Sequence, residues 1–375
     1  MRRRPHSIHE LPGWPKLRWD RERIASSLVI VRHQQGRLLG RMEALGFPLQ
    51  QEAVLTTLTE EVVKSSDIEG EKLDRGQVRS SIARRLGIDV GGASSPDRRV
   101  EGVVEMMLDA TRNYAEPLTS ERLFAWHASL FPGGRSGMRT VRIGAWRDDR
   151  TGPMQVVSGA IGRERVHFEA PGAERLGREM ATFLDWFNGS SPETTIDEVL
   201  KAGLAHLWFV TLHPFDDGNG RIARAIADLE LARSDRSAQR FYNMSAQILK
   251  ERKEYYAALE RAQRGTLDVT EWLGWFLACL ARALAGAETT LAAVLRKARF
   301  WQASGDAALN DRQRLVLNRL LDGLEGKLTT SKWATIAKCS SDTALRDILD
   351  LVGRGMLLRD PGGGRSTSYS LAELP

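Results

Sequence analysis

The segment His213-Pro214-Phe215-Asp216-Asp217-Gly218-Asn219-Gly220-Arg221-Ile222-Ala223-Arg224 gathers one imidazole, two carboxylates, two glycines flanking an amide, and two guanidiniums. A helix leading into it must stop ahead of Pro214, because proline disfavours helical geometry at the residue before it, so His213 falls at a helix boundary. Gly218, Asn219 and Gly220 supply a turn whose backbone can take left-handed angles and leave several N–H groups pointing one way. Such a nest at the start of a helix attracts anions. Arg221 and Arg224 lie three apart in the first turn of the following helix and share a face. Cations there oppose the macrodipole, so an anion between them is the natural compensation, and a polyphosphate fits. Asp217 is placed to hold a Mg²⁺ that bridges phosphate oxygens. His213 titrates near neutral pH and is the candidate general base.

The elements that must position these groups are mostly helical. Apolar residues at three- and four-residue spacing predict helical structure over 21–87, 99–114 and 120–131. Met154-Gln155-Val156-Val157 and Arg165-Val166-His167-Phe168 predict a β-hairpin, the main sheet element ahead of the C-terminus. Helices resume at 173–187, from Thr195 into the motif, and at 221–232, 245–264 and 270–300. After a linker at Gly305-Asp306-Ala307-Ala308, three helices (311–321, 331–337, 341–354) precede strands 357–360 and 368–371 about a glycine-rich turn. That order spells a winged helix-turn-helix. The expected domains are 1–98, an N-terminal helical region; 99–303, the core bearing the motif; and 304–375, the winged helix.

A chain of 375 residues is long enough for two or three domains. Its net charge of +6 is mild and spread along the sequence, and by itself selects no partner. Cys279 and Cys339, far apart in apolar stretches, support neither a disulfide framework nor a zinc site, and a cytoplasmic location is the expectation. No secretory signal is visible, and Trp272 to Ala287, interrupted by Arg282, reads as a buried helix rather than a membrane span.

The whole motif, in order and in register, resembles the signature of the Fic family: His, any residue, Phe, any residue, Asp or Glu, Gly-Asn-Gly-Arg, two free residues, Arg. The resemblance implies a mainly α fold, a helical core with a β-hairpin flap, and transfer of AMP from ATP to a hydroxyl of a target protein. It makes His213 the base, Asp217 the Mg²⁺ ligand and Phe215 the aromatic anchor of the loop. It makes Gly218, Asn219 and Gly220 the anion cradle, Asn219 also touching the α-phosphate region, with Arg221 and Arg224 on the β- and γ-phosphates. Asp216 falls on a free position and is expected to be solvated. The 154–168 hairpin corresponds to the flap that docks a Ser, Thr or Tyr of the target by strand addition. Tyr256, after Tyr255, resembles a residue on the adenine side. Self-modification and a homodimer are further expectations.

Leu55, Leu58, Val62, Ser65 and Glu69 form a helical stripe that starts apolar and ends in a hydroxyl and a carboxylate. On the residues alone, Glu69 is either a buried carboxylate that needs a cation or the point where the stripe surfaces at Gly70. Ser65-Ser66-Asp67-Ile68-Glu69-Gly70 resembles the inhibitory motif of autoregulated Fic proteins whose inhibitory helix is N-terminal. The resemblance implies that Glu69 pairs with Arg224 and obstructs the γ-phosphate, and that the same glutamate supports AMP removal in some members. Trp14-Pro15, Trp19-Asp20 and the stretch 80–87 resemble the helical region preceding many bacterial Fic cores.

Two other readings compete. One is a DNA-binding transcriptional regulator with a nucleotide-sensing core: the third helix of the winged domain offers Arg346 but also Asp342, Asp347 and Asp350, while Arg354, Arg359 and Arg365 lie near the wing. The other is a transferase of a different phosphate-containing group, since the cradle recognises phosphates rather than the nucleoside.

Overall fold

The computed structural model describes residues 7–45, 47–88, 96–137, 139–150, 152–158, 165–189, 196–304, 309–324, 326–361 and 367–372. The anticipated linker at 305–308, the start at Thr195, the hairpin tip and Arg365 lie outside them. The chain divides into two compact units, Met1–Ala287 and Glu288–Pro375.

In the first unit the helical stretch expected over 21–87 is three helices: α1 (Arg21–Glu43), α2 (Phe47–Ile68) and α3 (Arg75–Leu86). Asp20 and Asp74 cap α1 and α3, accepting backbone N–H bonds that the first helical turn cannot satisfy internally. Then come α4 (Arg98–Arg112), α5 (Ser120–Leu130), two short paired strands β1 (Arg135–Ser136) and β2 (Arg139–Thr140), and the hairpin β3 (Gln155–Ser158) and β4 (Arg165–Glu169). The β1–β2 pair was not anticipated, because two-residue strands leave no alternation to read. The β3–β4 hairpin carries a register shift at Val156/Val157.

The helices α6 (Ala173–Asn188), α7 (Glu198–Leu212) and α8 (Asn219–Asp235) follow, with α7 and α8 packed together at the centre. From Ala202 to Leu212 every residue of α7 is buried, as is Arg221 to Ala232 of α8, so the loop joining them is anchored at both ends. The single helix expected over 245–264 is two, α9 (Met244–Lys250) and α10 (Arg252–Arg264), which part at Glu251 without a proline or glycine.

The next helix, α11 (Thr270–Ser304), contributes residues to both units and is among the described residues the one helix long and apolar enough to cross a membrane. Its first half buries Trp272, Leu273, Phe276, Leu277, Leu280 and Leu284 in the first unit. Phe300, near its end, belongs to the core of the second unit with Val316, Trp333, Ile348 and Leu357, which is why the division falls at Ala287 rather than at the expected 303. That unit runs α12 (Asp311–Leu321), β5 (Leu328–Thr329), α13 (Thr330–Ala337), α14 (Ser341–Gly353), β6 (Leu357–Arg359) and β7 (Ser368–Leu371), its sheet ordered β5-β7-β6. Both cysteines are free, and burial pushes the Cys279 thiol up to about 12.

Glu61 lies buried where α2 packs on α9, facing α8. It is 4% exposed, accepts the Ser245 N–H at 3.1 Å through Oε2, and has no hydrogen-bond partner for Oε1. Asp228 of α8 stands beside it, with Oδ1 bound by Arg240 at 2.9 Å and Oδ2 likewise unpartnered. Burial, and then the charge of Asp228, push Glu61 up to about 8, so near neutral pH it holds a proton. The unfolded chain releases that proton near pH 4.5, so the folded state binds more protons between 4.5 and 8, and stability falls as pH rises through that window. Glu61→Gln keeps the shape and removes the titration. Denaturant unfolding at pH 5.5 and 8 should show the parent losing stability on the order of 1–3 kcal/mol from this source, and the variant losing correspondingly less.

Candidate active site

The loop 213–218 begins where α7 ends. His213 takes a left-handed conformation (φ 48°, ψ 56°), its N–H still bonded to Phe209 O at 3.0 Å, and Pro214 then prevents the helix from continuing. Its Nδ1 lies 3.3 Å from Val210 O, a partner that can only accept, so this nitrogen carries the hydrogen and Nε2 presents a lone pair. Burial pushes the imidazole down to about 4; the Val210 carbonyl, Glu69 and Asp217 pull the other way, and Arg147 adds to the depression. His213 is therefore neutral at physiological pH and able to accept a proton.

Phe215 anchors the loop. Fully buried, it stacks on His127 with ring centroids 4.1 Å apart and planes at 8°, and packs against Trp146 at 5.2 Å. Asn219 closes the loop from the other side, accepting the Phe215 N–H through Oδ1 at 3.0 Å and donating from Nδ2 to Phe215 O at 2.8 Å. The amide thereby fastens the loop at both its oxygen and its nitrogen. Asp216 is exposed, as anticipated, yet not merely solvated: it accepts the Arg142 N–H at 2.9 Å and ties the loop to the segment after β2.

The start of α8 is built to receive an anion. Gly218 is its N-cap, in the left-handed region at φ 79°, and a Cβ there would lie 2.9 Å from the Phe131 ring. No side chain caps this terminus, so its N–H groups stay available. A Cβ on Gly220 would collide with the Glu69 carboxylate, which sits against the first turn of α8.

Glu69 and Arg224 meet as an ion pair of 2.9 Å. Ser65 holds the same guanidinium twice, accepting Nε at its hydroxyl and Nη2 at its carbonyl, each at 2.9 Å. Burial acts to lower the Arg224 pKa, and Glu69 together with Tyr255 and Tyr256 raises it on balance. The Glu69 side chain is one-third exposed, so the stripe on α2 does surface here while still delivering its carboxylate. The α2 terminus explains how. Gly70 (φ 81°) closes a Schellman turn, with Glu71 N bonded to Ser66 O and Gly70 N to Asp67 O, both at 3.0 Å. The turn brings Glu71 back onto Arg221 at 2.6 Å, a second carboxylate–arginine pair that sequence reasoning missed. Its signal was present: an acid directly after a helix-ending glycine, and a cradle arginine, Arg221, without an assigned carboxylate partner.

Asp217 accepts the Gly218 N–H at 2.6 Å and the Ser136 hydroxyl at 2.5 Å. Among the described residues no cluster of three His, Cys, Asp or Glu could hold a metal on its own. A lone carboxylate of this kind fits Mg²⁺ only when phosphates and water complete the shell. Glu69, Glu71, Phe131, Arg135, Asp217 and Arg221 line a cavity of about 420 Å³. The Arg221 guanidinium lies 5.1 Å from the centre of the Phe131 ring. Tyr256 is 40% exposed with Arg252 over its ring, and Tyr255 is buried, bonded to His206 Nε2 at 2.8 Å.

Residues 117–231 match the model of the Fic/DOC family, a span containing the whole motif. The chain carries a Fic domain. Residues 7–88, ahead of it, match a domain of unknown function, DUF4172. The chain is 34% identical over 115 residues to protein adenylyltransferase fic-1 of Caenorhabditis elegans, covering 30% of this chain and 21% of the relative. It resembles a probable protein adenylyltransferase of Aquifex aeolicus at 34% over 92 residues, covering 24% of this chain and 25% of the relative. A uridine 5'-monophosphate transferase of Xanthomonas campestris pv. campestris is 29% identical over 149 residues, covering 37% of this chain and 26% of the relative. The chain thus matches about a fifth to a quarter of the length of these curated relatives. The fold is that of a solved Fic family protein from Desulfovibrio desulfuricans G20, with TM-score 0.52 and 21% identity over 92% of this chain and 96% of the other.

The loop depends on Asn219. Asn219→Ala strands the N–H and carbonyl of buried Phe215, and should lower unfolding free energy by about 1–3 kcal/mol, whereas Asp216→Ala, at an exposed position, should cost less than about 1 kcal/mol. Paired denaturant titrations measure both.

Proposed function

We propose that this protein is a protein adenylyltransferase that transfers AMP from ATP to a hydroxyl of a target protein, and that Glu69 restrains it. The observation that supports this most directly is the Glu69 carboxylate lying against Gly220 and paired with Arg224, an anion already seated where α8 would receive a phosphate. In this reading the first turn of α8 and the two arginines hold the β- and γ-phosphates, which orients the α-phosphorus toward the acceptor. The target O–H gives its proton to His213 Nε2 as its oxygen bonds to the α-phosphorus, and the bond to the leaving pyrophosphate breaks. Asp217 would hold Mg²⁺, which would neutralise charge on the phosphates when bound. Glu71 on Arg221 supports restraint at both arginines.

Target docking is proposed along the free edge of β3, where Val157 is 49% exposed. The β3–β4 hairpin is tied to α10 by His167–Glu260 at 2.9 Å and Arg264 donating to Val166 O at 2.9 Å, a firm platform for strand addition. The cradle itself reads no base, so it also suits uridylyl transfer, the activity in the name of the Xanthomonas relative. Tyr256, whose ring is accessible, is the proposed base-side residue.

For the second unit we propose a winged helix-turn-helix that docks protein rather than reads DNA. The exposed face of α14 shows Asp342, Leu345, Arg346, Leu349 and Asp350, and Arg354 is paired with Asp350 at 3.0 Å, a face poor in free cations for phosphate contact.

With radiolabelled ATP and Mg²⁺, Glu69→Gly should raise self-labelling and lysate labelling about tenfold or more, the factor expected on removing a competing group worth ~1.4 kcal/mol. Adding His213→Ala should lower it by about 10²–10⁴. Absence of transfer from Glu69→Gly with ATP and its presence with UTP would replace adenylyl by uridylyl transfer, and absence with both would overturn the reading.

A further inference from the structure

His213 stands in a conformation that L-residues avoid, at a cost on the order of 1–2 kcal/mol, so something outside the loop must hold it there. Arg147 does so from both sides. Its Nε donates to His213 O at 2.8 Å, and its own backbone N–H donates to Pro214 O at 2.9 Å. Consecutive carbonyls across the left-handed bend are thus gripped by one residue. The rest of the guanidinium is fixed in turn: Nη2 donates to Pro171 O, and Nη1 pairs with Asp149 Oδ1 at 2.6 Å. Asp149 then uses Oδ2 to accept the Ala173 N–H at 2.6 Å, serving the start of α6, whose N-cap Gly172 has no side chain to do so. The Arg147 side chain is wholly buried.

We propose that Arg147 is a positioning residue for group transfer, holding the base in place through its backbone. The inference rests on the adenylyltransferase reading for its kinetic consequence but not for its effect on His213. A guanidinium suits the task because its planar fork binds two carbonyls and a carboxylate at once, and its charge is permanent. The other charged groups facing His213 are Glu69 from the end of α2 and Asp217 from the loop, both of which favour the imidazolium; Arg147 opposes them. Removing it should therefore raise the titration midpoint of His213, and loosening the bend should slow transfer without weakening nucleotide binding.

The test uses the full chain in the Glu69→Gly background with Arg147→Met, Arg147→Lys and Asp149→Asn. NMR titration follows the imidazole of His213, assigned among seven histidines by its loss in His213→Ala. Arg147→Met should raise the midpoint by about half a unit to one unit. It should also lower kcat by about 10–100-fold with the KM for MgATP changed less than about threefold. Arg147→Lys should return the midpoint toward the parent, because the charge is restored, but not kcat, because a lysine lacks the fork. Asp149→Asn, which keeps Arg147 and slackens its support, supplies the same comparison should Arg147→Met fail to fold: it should lower kcat more than KM. A His213 midpoint unmoved in Arg147→Met, or kcat within about threefold of the parent across the series, overturns the proposal. A parent that transfers no nucleotide defeats the adenylyltransferase reading instead, and the titration still decides the role of Arg147.

Discussion

Two guanidiniums in the first two turns of a buried helix make the constraint around which the first unit is organised. The N-terminus of α8 already carries the positive end of the macrodipole, and Arg221 and Arg224 add two full charges within reach of it, each side chain no more than 5% exposed. Burial of that much unbalanced charge is costly, so anions must be present. The fold supplies them from α2, as Glu69 and Glu71 on either side of the Gly70 turn. The chain reversal after Ile68 presents both carboxylates to these arginines, and the absence of a side chain at Gly220 leaves room for the Glu69 carboxylate.

The opposite wall of the site obeys a different logic, that of holding a polar loop rigid over an aromatic core. Phe215 stacks below, Asn219 stitches the backbone, and Asp216 and Arg147 tie it to the segment between the short hairpins. Rigidity here comes from hydrogen bonds to backbone groups, which fix dihedral angles more directly than side-chain packing does. A neutral imidazole follows from the same enclosure, because the burial that fixes the loop also disfavours the charged form.

Much of this was legible in the sequence, for identifiable reasons. The motif residues are close in sequence and their roles follow from helix starts, glycine geometry and proline's effect on its neighbour, so His213, Gly218, Gly220, Arg221 and Arg224 fall where spacing places them. The Glu69–Arg224 contact was legible only through resemblance, since nothing in the stripe on α2 names a partner 155 residues away. Arg147 was not legible: it sits in an irregular stretch, and its partners are backbone carbonyls, which every residue has. The break between α9 and α10 at Glu251 lacks the Pro or Gly that marks such breaks, and the two-residue strands β1 and β2 are too short for any periodicity.

The Schellman turn at Gly70 joins the fates of its neighbours. Glu69 ends the helix and Glu71 follows the reversal, and three backbone hydrogen bonds onto Ser66 and Asp67 set the span between them. The two carboxylates are therefore geometrically dependent, like teeth on one key. Fraying a single helical turn would withdraw both together, so the terminal stability of α2 and the two ion pairs share one threshold for vacating this end of α8.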